Sequence, residues 1–513
     1  MGSGYSMAGN IAVDKIIAVG IESPDVITAL DKDHENGVAY KFIHQYWTGI
    51  VEKAEKRYHV WAFQLDGRPF VLPLISIGTG HIIQSAQSRQ FLCRLIQHME
   101  SAGETFLTSV YMGKLYHRSA MLFLRLNETD EAYEVQSGFL SDDRILCVAI
   151  RNKNTLQFPK MPALSRCPME WLFAEFRSQM VEDKDYDNCL EVHLRGTPFN
   201  TSNFEEMITA QRIFVTLIRR FFAYGYEYAA PLSLKGNFKN DTFFFRRSSH
   251  VNSVTEPVNF FLMSIGQKNR IRLFECPQEV FTKIENIILD GKWLDGGVRE
   301  IKPSYMGCSE IIFQSTPFHE SSSENAPTQL MFLTIFEELK KMGWKICGAL
   351  QLSLATFDKA TILFETCQAA ETKYFGLVPC CSDTIRLIKV RGSVTTQIRE
   401  MIINQWGKGI QSESSINCGV EFKLRGFPFA SRDLTADAHC GRHLLIFIIE
   451  KLRSLGWNLV CSMDLCSKMN SDDDSHIYGE ENEMMIFEQV DLPPIRNENH
   501  ICRNPSYGSD SKH

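Results

Sequence analysis

The chain has 513 residues, of which 44% are hydrophobic and 22% charged, a composition typical of a folded protein of several domains. Its formal net charge of -7 gives no attraction to nucleic acid or anionic lipid, and the absence of a local basic patch leads us to expect no nucleic-acid binding. The apolar runs are too short for a transmembrane segment, and the 15 cysteines lack CxxC pairs or regular spacing, so we predict a cytoplasmic or nuclear protein.

The N-terminus carries one targeting pattern. "MGSGYS" has Gly2 and Ser6 at the positions that N-myristoylation requires. No lysine or arginine precedes Lys15, and a single acyl chain without basic residues binds membranes only weakly. We therefore interpret residues 1–14 as a flexible N-terminus, with Gly2 as a candidate for myristoylation and weak membrane attachment.

A ten-residue motif with a central proline occurs four times, and we call it the proline motif. Successive copies are separated by the length of a small domain, which indicates tandem duplication of a domain rather than a solenoid of short repeats. The copies are "AFQLDGRPFV" with Pro69, "EVHLRGTPFN" with Pro198, "EIIFQSTPFH" with Pro317 and "EFKLRGFPFA" with Pro428.

The surroundings of the motif repeat as well. Each copy follows a hairpin and an amphipathic helix, which in the fourth copy has Ile398, Met401 and Ile402 on one face. A second helix follows the motif, and then come two strands joined by a polar turn. We expect this second helix to end at a glycine in the left-handed conformation, at Gly103, Gly225, Gly343 and Gly456.

These elements predict an α+β fold of four tandem divergent repeats, each a two-layer β-β-α-β-α-β-β module with both helices on one face of the sheet. Strands such as "DTFFFRR" have consecutive apolar residues, so we expect the sheets to pack against or join one another. The predicted bounds are 15–130 for module 1, 131–250 for module 2, 251–368 for module 3 and 369–490 for module 4, followed by a disordered tail at 491–513.

The proline motif itself has a structural interpretation. Its first half alternates apolar and polar residues, as in a half-buried strand, and its proline prevents further strand pairing. We therefore predict that Pro69, Pro198, Pro317 and Pro428 act as strand terminators.

A charge pair recurs in two modules. The motif begins with Glu191 in module 2 and Glu421 in module 4, and the second helix of these modules carries Arg212 and Arg442. We interpret each pair as a structural ion pair between strand and helix. The alternative is a ligand-binding or catalytic carboxylate with an orienting arginine.

Cysteines and one histidine of module 4 raise the question of a zinc site. Cys440 and His443 lie one helical turn apart, with Cys418, Cys461 and Cys466 nearby in sequence. Small or apolar residues occupy the corresponding positions of the other modules, so we interpret these cysteines as buried apolar residues. We predict no catalytic, cofactor-binding or metal-binding residues.

The repeated features are all core and turn features, whereas no polar constellation recurs intact. We therefore expect a non-enzymatic intracellular platform for protein partners, with no cofactor. The alternative is a small-molecule-binding protein or enzyme with its site in a cleft between modules.

Overall fold

The computed structural model describes residues 15–490 except 24–25, 31–36, 47–50, 58–59, 66–69, 71–79, 112–118, 126–143, 166, 168–169, 235–240, 249–257, 292, 320–324, 354–358, 391, 430–435 and 466–482. This part of the chain forms four six-stranded antiparallel sheets. Every sheet has the same strand order, 3-4-2-1-6-5 when the strands are numbered within their module. The prediction of four tandem α+β repeats is thus confirmed.

Module 1 runs β-β-α-β-β-α-β-β, and modules 3 and 4 repeat this order. Module 2 has two short helices in place of the first helix. The elements of module 1 are β1 (Lys15–Ser23), β2 (Val26–Leu30), α1 (Val38–Tyr46), β3 (Val51–Arg57), β4 (Val60–Leu65), α2 (Gly80–Ser101), β5 (Glu104–Tyr111) and β6 (Ser119–Arg125). Those of module 2 are β7 (Ile145–Asn152), β8 (Thr155–Pro159), α3 (Pro162–Ser165), α4 (Glu170–Phe176), β9 (Met180–Tyr186), β10 (Cys189–Leu194), α5 (Phe204–Ala223), β11 (Tyr226–Leu232) and β12 (Thr242–Arg247).

The last two modules have the same eight-element plan as module 1. Module 3 consists of β13 (Phe260–Gly266), β14 (Arg270–Phe274), α6 (Gln278–Asp290), β15 (Val298–Tyr305), β16 (Cys308–Phe313), α7 (Asn325–Lys341), β17 (Trp344–Leu350) and β18 (Thr361–Thr366). Module 4 consists of β19 (Tyr374–Cys380), β20 (Thr384–Ile388), α8 (Gly392–Gln405), β21 (Ile410–Ile416), β22 (Gly419–Leu424), α9 (Ala436–Ser454), β23 (Trp457–Met463) and β24 (Met484–Gln489).

Each sheet has one strand more than the five that the sequence predicts. The additional strand precedes the proline motif, pairs with the motif strand and forms the outer edge of the sheet, as β3, β9, β15 and β21. The side chains of β9 and β21 are mostly exposed on both faces. Their sequences, "MVEDKDY" and "IQSESSI", therefore lack the apolar alternation that marks a half-buried strand.

The second helix of each module lies between two sheets. It contacts an edge strand of its own sheet and also the first strands of the next module: α2 contacts β7 and β8, α5 contacts β13, and α7 contacts β19 and β20. Helix α9 of module 4 contacts β1 of module 1. The four modules therefore form a closed ring in which neighbouring sheets are joined through a shared helix.

This arrangement explains the consecutive apolar residues of the central strands. In β12, Phe243 and Phe245 lie in the core formed with the helices of module 2, whereas Phe244 lies in the core of module 1. The same sharing occurs at ring closure, where Ile16 and Leu122 of module 1 pack with Leu445 and Ile449 of α9. Both faces of each sheet are covered by helices. The helices of its own module cover one face, and the second helix of the preceding module covers the other.

The inner edges of the sheets meet at the centre of the ring. Strands β5, β11, β17 and β23 contact one another in cyclic order, and each has a β-bulge at the corresponding position. Tyr228 of β11 donates a hydrogen bond through its hydroxyl to the carbonyl of Ala349 in β17 at 3.1 Å. A Cβ atom at Gly348 would lie 2.6 Å from Cε1 of Tyr228, so the close approach of these two strands requires glycine.

The left-handed conformation predicted after the second helix is confirmed in all four modules. Gly103, Gly225, Gly343 and Gly456 have φ angles of 86°, 88°, 82° and 83°. Residues with a Cβ atom are strained in this conformation. The glycines let the chain reverse directly from the helix into the inner edge strand.

Candidate functional site

The glutamates of the proline motif lie on the sheet face that the preceding module covers. In β10, Val192 and Leu194 pack in the core of their own module, whereas Cys189 packs with Ile82 of α2. Side chains alternate between the two faces of a strand, so Glu191 points to the same face as Cys189. It therefore faces the helix of module 1 and not the helices of module 2.

In modules 3 and 4 each of these glutamates pairs with an arginine directly opposite on the neighbouring strand. Arg272 of β14 donates from Nε to Oε1 of Glu310 at 2.7 Å, and both side chains are buried. Arg386 of β20 donates from Nε to Oε1 of Glu421, also at 2.7 Å. The recurring polar feature is thus a cross-strand ion pair within the sheet.

Module 2 satisfies its glutamate differently. Gln157 stands opposite Glu191 in the register, at the position that arginine occupies in modules 3 and 4. Its Nε2 donates to Oε1 of Glu191 at 3.2 Å, and Nη1 of Arg151 donates to both carboxylate oxygens at 3.1 Å. Glu191 is fully buried and has its charge compensated by Arg151.

The structure does not join Glu191 to Arg212, the partner expected from the sequence. Arg212 lies on α5, which covers the opposite face of the sheet, and its Nη2 donates to the carbonyl of Met306 in module 3 at 3.3 Å. Arg442 lies on α9, whereas Glu421 forms an ion pair with Arg386. Strand alternation is the physical reason, because a motif glutamate and its own second helix lie on opposite sides of the sheet.

A buried polar network joins modules 1 and 2, and we call it the polar junction: Ser85, Arg89, Gln157, Glu191 and Asp241. Arg89 of α2 is only 1% exposed. Its Nη2 donates to Oδ2 of Asp241 at 2.7 Å, and its Nη1 donates to the carbonyl of Ser85 at 3.1 Å and to Oε1 of Gln157 at 3.3 Å. Because Gln157 also donates to Glu191, one continuous network runs from helix α2 to the motif strand of module 2.

Side chains beside the polar junction resemble a catalytic triad in outline only. Nδ1 of His193 lies 3.1 Å from Oγ1 of Thr155, and Nε2 lies 3.8 Å from Oε2 of Glu191. Thr155 is completely buried, so its hydroxyl cannot reach a substrate in solution. Burial lowers the pKa of His193 and raises the pKa of the Cys189 thiol to about 11, so the thiol stays protonated near neutral pH. The arrangement links β8 and β10 within the sheet of module 2.

The junction between modules 3 and 4 is also polar but lies nearer the surface. Oε1 of Glu337 on α7 accepts a hydrogen bond from the backbone N–H of Tyr374 at 3.1 Å, and its Oε2 accepts one from Nζ of Lys389 at 2.7 Å. Nζ of Lys340 lies 2.9 Å from Oε1 of Glu488 in β24. These contacts attach the helix of module 3 to the sheet of module 4.

A cleft of about 400 Å³ opens at this junction. Its lining is mostly charged, and Oγ1 of Thr372 donates to the carbonyl of Gln489 at 2.8 Å. Glu421, which the sequence placed at a possible ligand site, does not line this cleft, nor do Arg442 and His443. The lining residues are Glu337, Lys341, Glu371, Thr372, Lys373 and Gln489.

The cysteines considered for zinc are distributed over different cores. Cys461 and Cys418 pack with the core of module 3, whereas Cys440 packs with the core shared by modules 4 and 1. Burial raises the pKa of each of these three thiols. Cys466 lies outside the described residues. In the part of the chain that the structure describes, no three His, Cys, Asp or Glu side chains come together as metal ligands.

Three motif prolines lie in the turn that follows the motif strand. Pro198, Pro317 and Pro428 are all buried there, while Pro69 and Gly2 fall outside the described residues. The residue after each described proline is a buried phenylalanine whose N–H donates to the turn of the first hairpin. These bonds join Phe199 to Lys153 at 3.1 Å, Phe318 to Lys268 at 3.0 Å and Phe429 to Ser382 at 2.9 Å.

Sequence reasoning missed the cross-strand arginines, although a signal for them exists. The second strands "RIRLF" and "TIRLI" carry Arg272 and Arg386 at the same place, and "TLQFP" carries Gln157 there. The pair of Arg89 and Asp241 has no comparable signal, because it joins residues of different modules.

Among the described helices, none is both long and apolar enough to cross a membrane.

One domain-family model matches the chain three times, over residues 144–246, 259–365 and 374–479. The matched segments correspond to modules 2, 3 and 4. Module 1 has the same strand order as the matched modules, so its sheet repeats their fold. No curated protein and no solved structure matches the chain.

Proposed function

The chain belongs to the family that this repeated domain defines, and from that premise we propose that it is a non-enzymatic platform for binding protein partners. The observation that carries the proposal is the closure of the ring by α9 against β1. Closure gives every module two neighbours, which restricts independent motion of the modules. A rigid ring displays its outer edge strands and loops at fixed distances, as a scaffold for several partners requires.

The polar groups that recur are consistent with this proposal. The motif glutamates are each compensated by an arginine of the same sheet, as Glu310 is by Arg272. Catalytic carboxylates usually have an accessible face and a pKa moved towards the working pH. Glu310 is buried, and its net pKa shift is downwards, away from neutral pH, because its cationic neighbours outweigh burial.

We further propose a reducing compartment, the cytoplasm or the nucleus, as the location of the protein. Buried thiols such as Cys93 and Cys147 lie in neighbouring elements without a disulfide. We also propose that the partners are proteins, whose identity is unknown, and that the protein binds neither nucleic acid nor a cofactor. Acylation at Gly2, with weak membrane attachment, remains a prediction that mass measurement of the native protein and of Gly2→Ala can test.

The test is purification of the intact protein from its native cells, with mass spectrometry of everything that is retained. We expect a discrete set of protein partners in fixed ratios. A matched preparation that lacks residues 491–513 tells whether the tail or the ring recruits them. Recovery of a bound metabolite and no protein would reject the platform proposal.

The cleft between modules 3 and 4 supports the alternative of a small-molecule site. Lys341 and Lys373 line it together with Glu337 and Glu371, so a zwitterionic ligand would fit its charges best. Lys373→Ala and Glu371→Ala should weaken such binding without lowering the melting temperature, since both side chains are exposed. Native mass spectrometry of the purified protein would detect a retained ligand.

A further inference from the structure

The outer edge of the second sheet is exposed and rich in carboxylates. Strand β9 is the terminal strand of its sheet, and no strand within the described residues pairs with its outer side. Residues 181–185 are exposed. Backbone N–H and C=O groups along such an edge are available to pair with an added strand.

The pairing of β9 with β10 is regular over most of its length. After a bulge at its beginning, the register runs without interruption from Glu182 to Tyr186. Strand β15, in contrast, has register shifts at both ends and carries Pro303, whose ring removes a backbone donor. Strand β9 therefore offers a straighter edge for strand addition than β15 does.

The charge of β9 also sets it apart. It carries three carboxylates and one lysine, whereas β15 carries Arg299, Glu300 and Lys302 and has an excess of positive charge. Asp183 and Asp185 stand opposite Val192 and Leu190 in the register, so their side chains share one face of the edge. Lys160 reaches only one of them, with its Nζ 2.6 Å from Oδ1 of Asp185.

The opposite face of β9 is less charged. Nζ of Lys184 lies 2.7 Å from Oε1 of Glu182, so these two side chains neutralise each other, and Tyr186 packs beside Cys189. A strand added to β9 would meet carboxylates on one face and the charge-balanced pair of Glu182 and Lys184 on the other. This pattern favours a segment in which every second residue is basic.

We propose that β9 binds an extended, basic segment of a partner protein by strand addition, an inference that rests on the proposed platform function. Lysine or arginine side chains of the partner lie beside Asp183 and Asp185, while its backbone continues the sheet. Pairing with β9 of a second copy is disfavoured, because it would place carboxylates next to carboxylates.

The probe is a short peptide in which lysine alternates with threonine, and its controls are the same peptide with glutamate in place of lysine and a version with a central proline. We expect the full-length protein to bind only the uninterrupted lysine peptide, more weakly at high salt. Hydrogen exchange should show slower exchange of the β9 amides in the complex. Binding without this protection would mean that the peptide binds by electrostatic attraction alone, without strand pairing, and would overturn the proposal.

The variant Asp183→Lys/Asp185→Lys should weaken peptide binding by roughly tenfold or more, since it reverses the charge of one face. The matched control is Glu413→Lys/Ser415→Lys in β21, which occupies the corresponding edge of module 4, and it should leave binding unchanged. Equal loss in both variants would reject β9 as the site. Melting temperatures of both variants report whether they fold.

A proline pair tests the backbone directly. Adjacent residues of an edge strand direct their N–H groups to opposite sides, so one of Asp183→Pro and Lys184→Pro removes an outward donor and the other a bond to β10. The variant that keeps the melting temperature should lose peptide binding. Unchanged binding in that variant would overturn the proposal.

The outcomes also separate this inference from the proposed function. If the native partners bind the intact protein and the Asp183→Lys/Asp185→Lys variant equally well, the β9 site fails while the platform proposal stands. If the intact protein retains no protein partner from its native cells, the platform proposal fails whatever the peptide shows. Concentration-dependent mass in solution would identify a second copy as the occupant and reject the basic partner.

Discussion

Oε1 of Glu450 on α9 accepts a hydrogen bond from the backbone N–H of Ile16 on β1 at 2.9 Å, although 434 positions separate the two residues. Glu450 is 5% exposed, and around it the side chains of α9 pack on the sheet of module 1. The bond therefore marks the place where the last module closes on the first.

Closure predicts that module 1 stays attached without its covalent link to module 2. We expect that a protease site inserted between Arg125 and Arg144 can be cut without loss of the N-terminal piece in gel filtration. The piece keeps two interfaces, one through α2 and one through the β1 surface under α9. Its immediate separation in native buffer would contradict the closed ring.

Glu450→Ala should weaken that cleaved complex. The substitution leaves the buried N–H of Ile16 without its carboxylate acceptor, at a cost of about 1–3 kcal/mol. Dissociation of the cleaved piece should therefore require less urea than in the parent protein. Glu285→Ala, at a partly exposed position on α6, serves as the control and should behave as the parent does.

Arg89→Met should be among the most destabilising single substitutions at a module junction. It leaves the carboxylate of Asp241 buried without its cation, and breaking a buried ion pair in this way costs about 3–5 kcal/mol. Adding Asp241→Asn should recover part of the loss, because the double variant no longer buries an unpaired charge. Urea unfolding of the single and double variants measures this coupling.

The matched control for Arg89 is Arg212, which occupies the corresponding position on α5 but is exposed. Arg212→Met should change the free energy of unfolding by no more than about 0.5 kcal/mol. Equal effects at the two positions would show that burial at the polar junction does not determine stability.

Glu310 predicts a specific dependence of stability on pH. Burial alone would raise the pKa of this carboxyl, but the hydrogen bond from Arg272 and the charges of Arg272, Arg270 and Lys302 hold it below its usual value. Because the folded pKa lies below the unfolded one, the stabilisation is fully present above about pH 4.3 and is lost as pH falls through the folded pKa.

Glu310→Gln tests this dependence. The variant should be less stable than the parent at pH 7, and the difference should shrink as the pH is lowered from about 5 to 3. Unfolding in urea at several pH values measures it. A difference that stays constant over this range would mean that the ionised carboxylate is not what stabilises the sheet.

Gly348→Ala tests the packing at the ring centre. The new methyl group would meet Cε1 of Tyr228 at 2.6 Å, and overpacking of this kind costs about 1–3 kcal/mol. Gly392→Ala is the control, because no atom lies within 4 Å of its Cβ position and alanine favours the helix that begins there. Thermal unfolding should separate the two variants, and similar melting temperatures would contradict the close contact.

The sequence predicted the repeat, the inner strands and the helices because these elements have an apolar face. It did not predict β9 or β21, whose side chains are exposed on both faces, so apolar alternation could not reveal them. It also assigned Arg212 as the partner of Glu191. The motif alone does not show which face of the sheet Glu191 lies on, because the packing of the whole module decides that. The contacts of Arg89 with Asp241 arise only from the ring, which no property of a single module encodes.

Ring closure also constrains how many copies of the domain this chain can have. Each second helix needs a following sheet, and each sheet needs a preceding helix, as Leu445 and Ile16 illustrate at the closing contact. Loss of one copy would expose an apolar helix face and an apolar sheet face at the same time, while an added copy would have to fit between partners already in contact. Changes in loop length leave these faces covered, so gain or loss of residues in this family should concentrate in loops and not in whole domains.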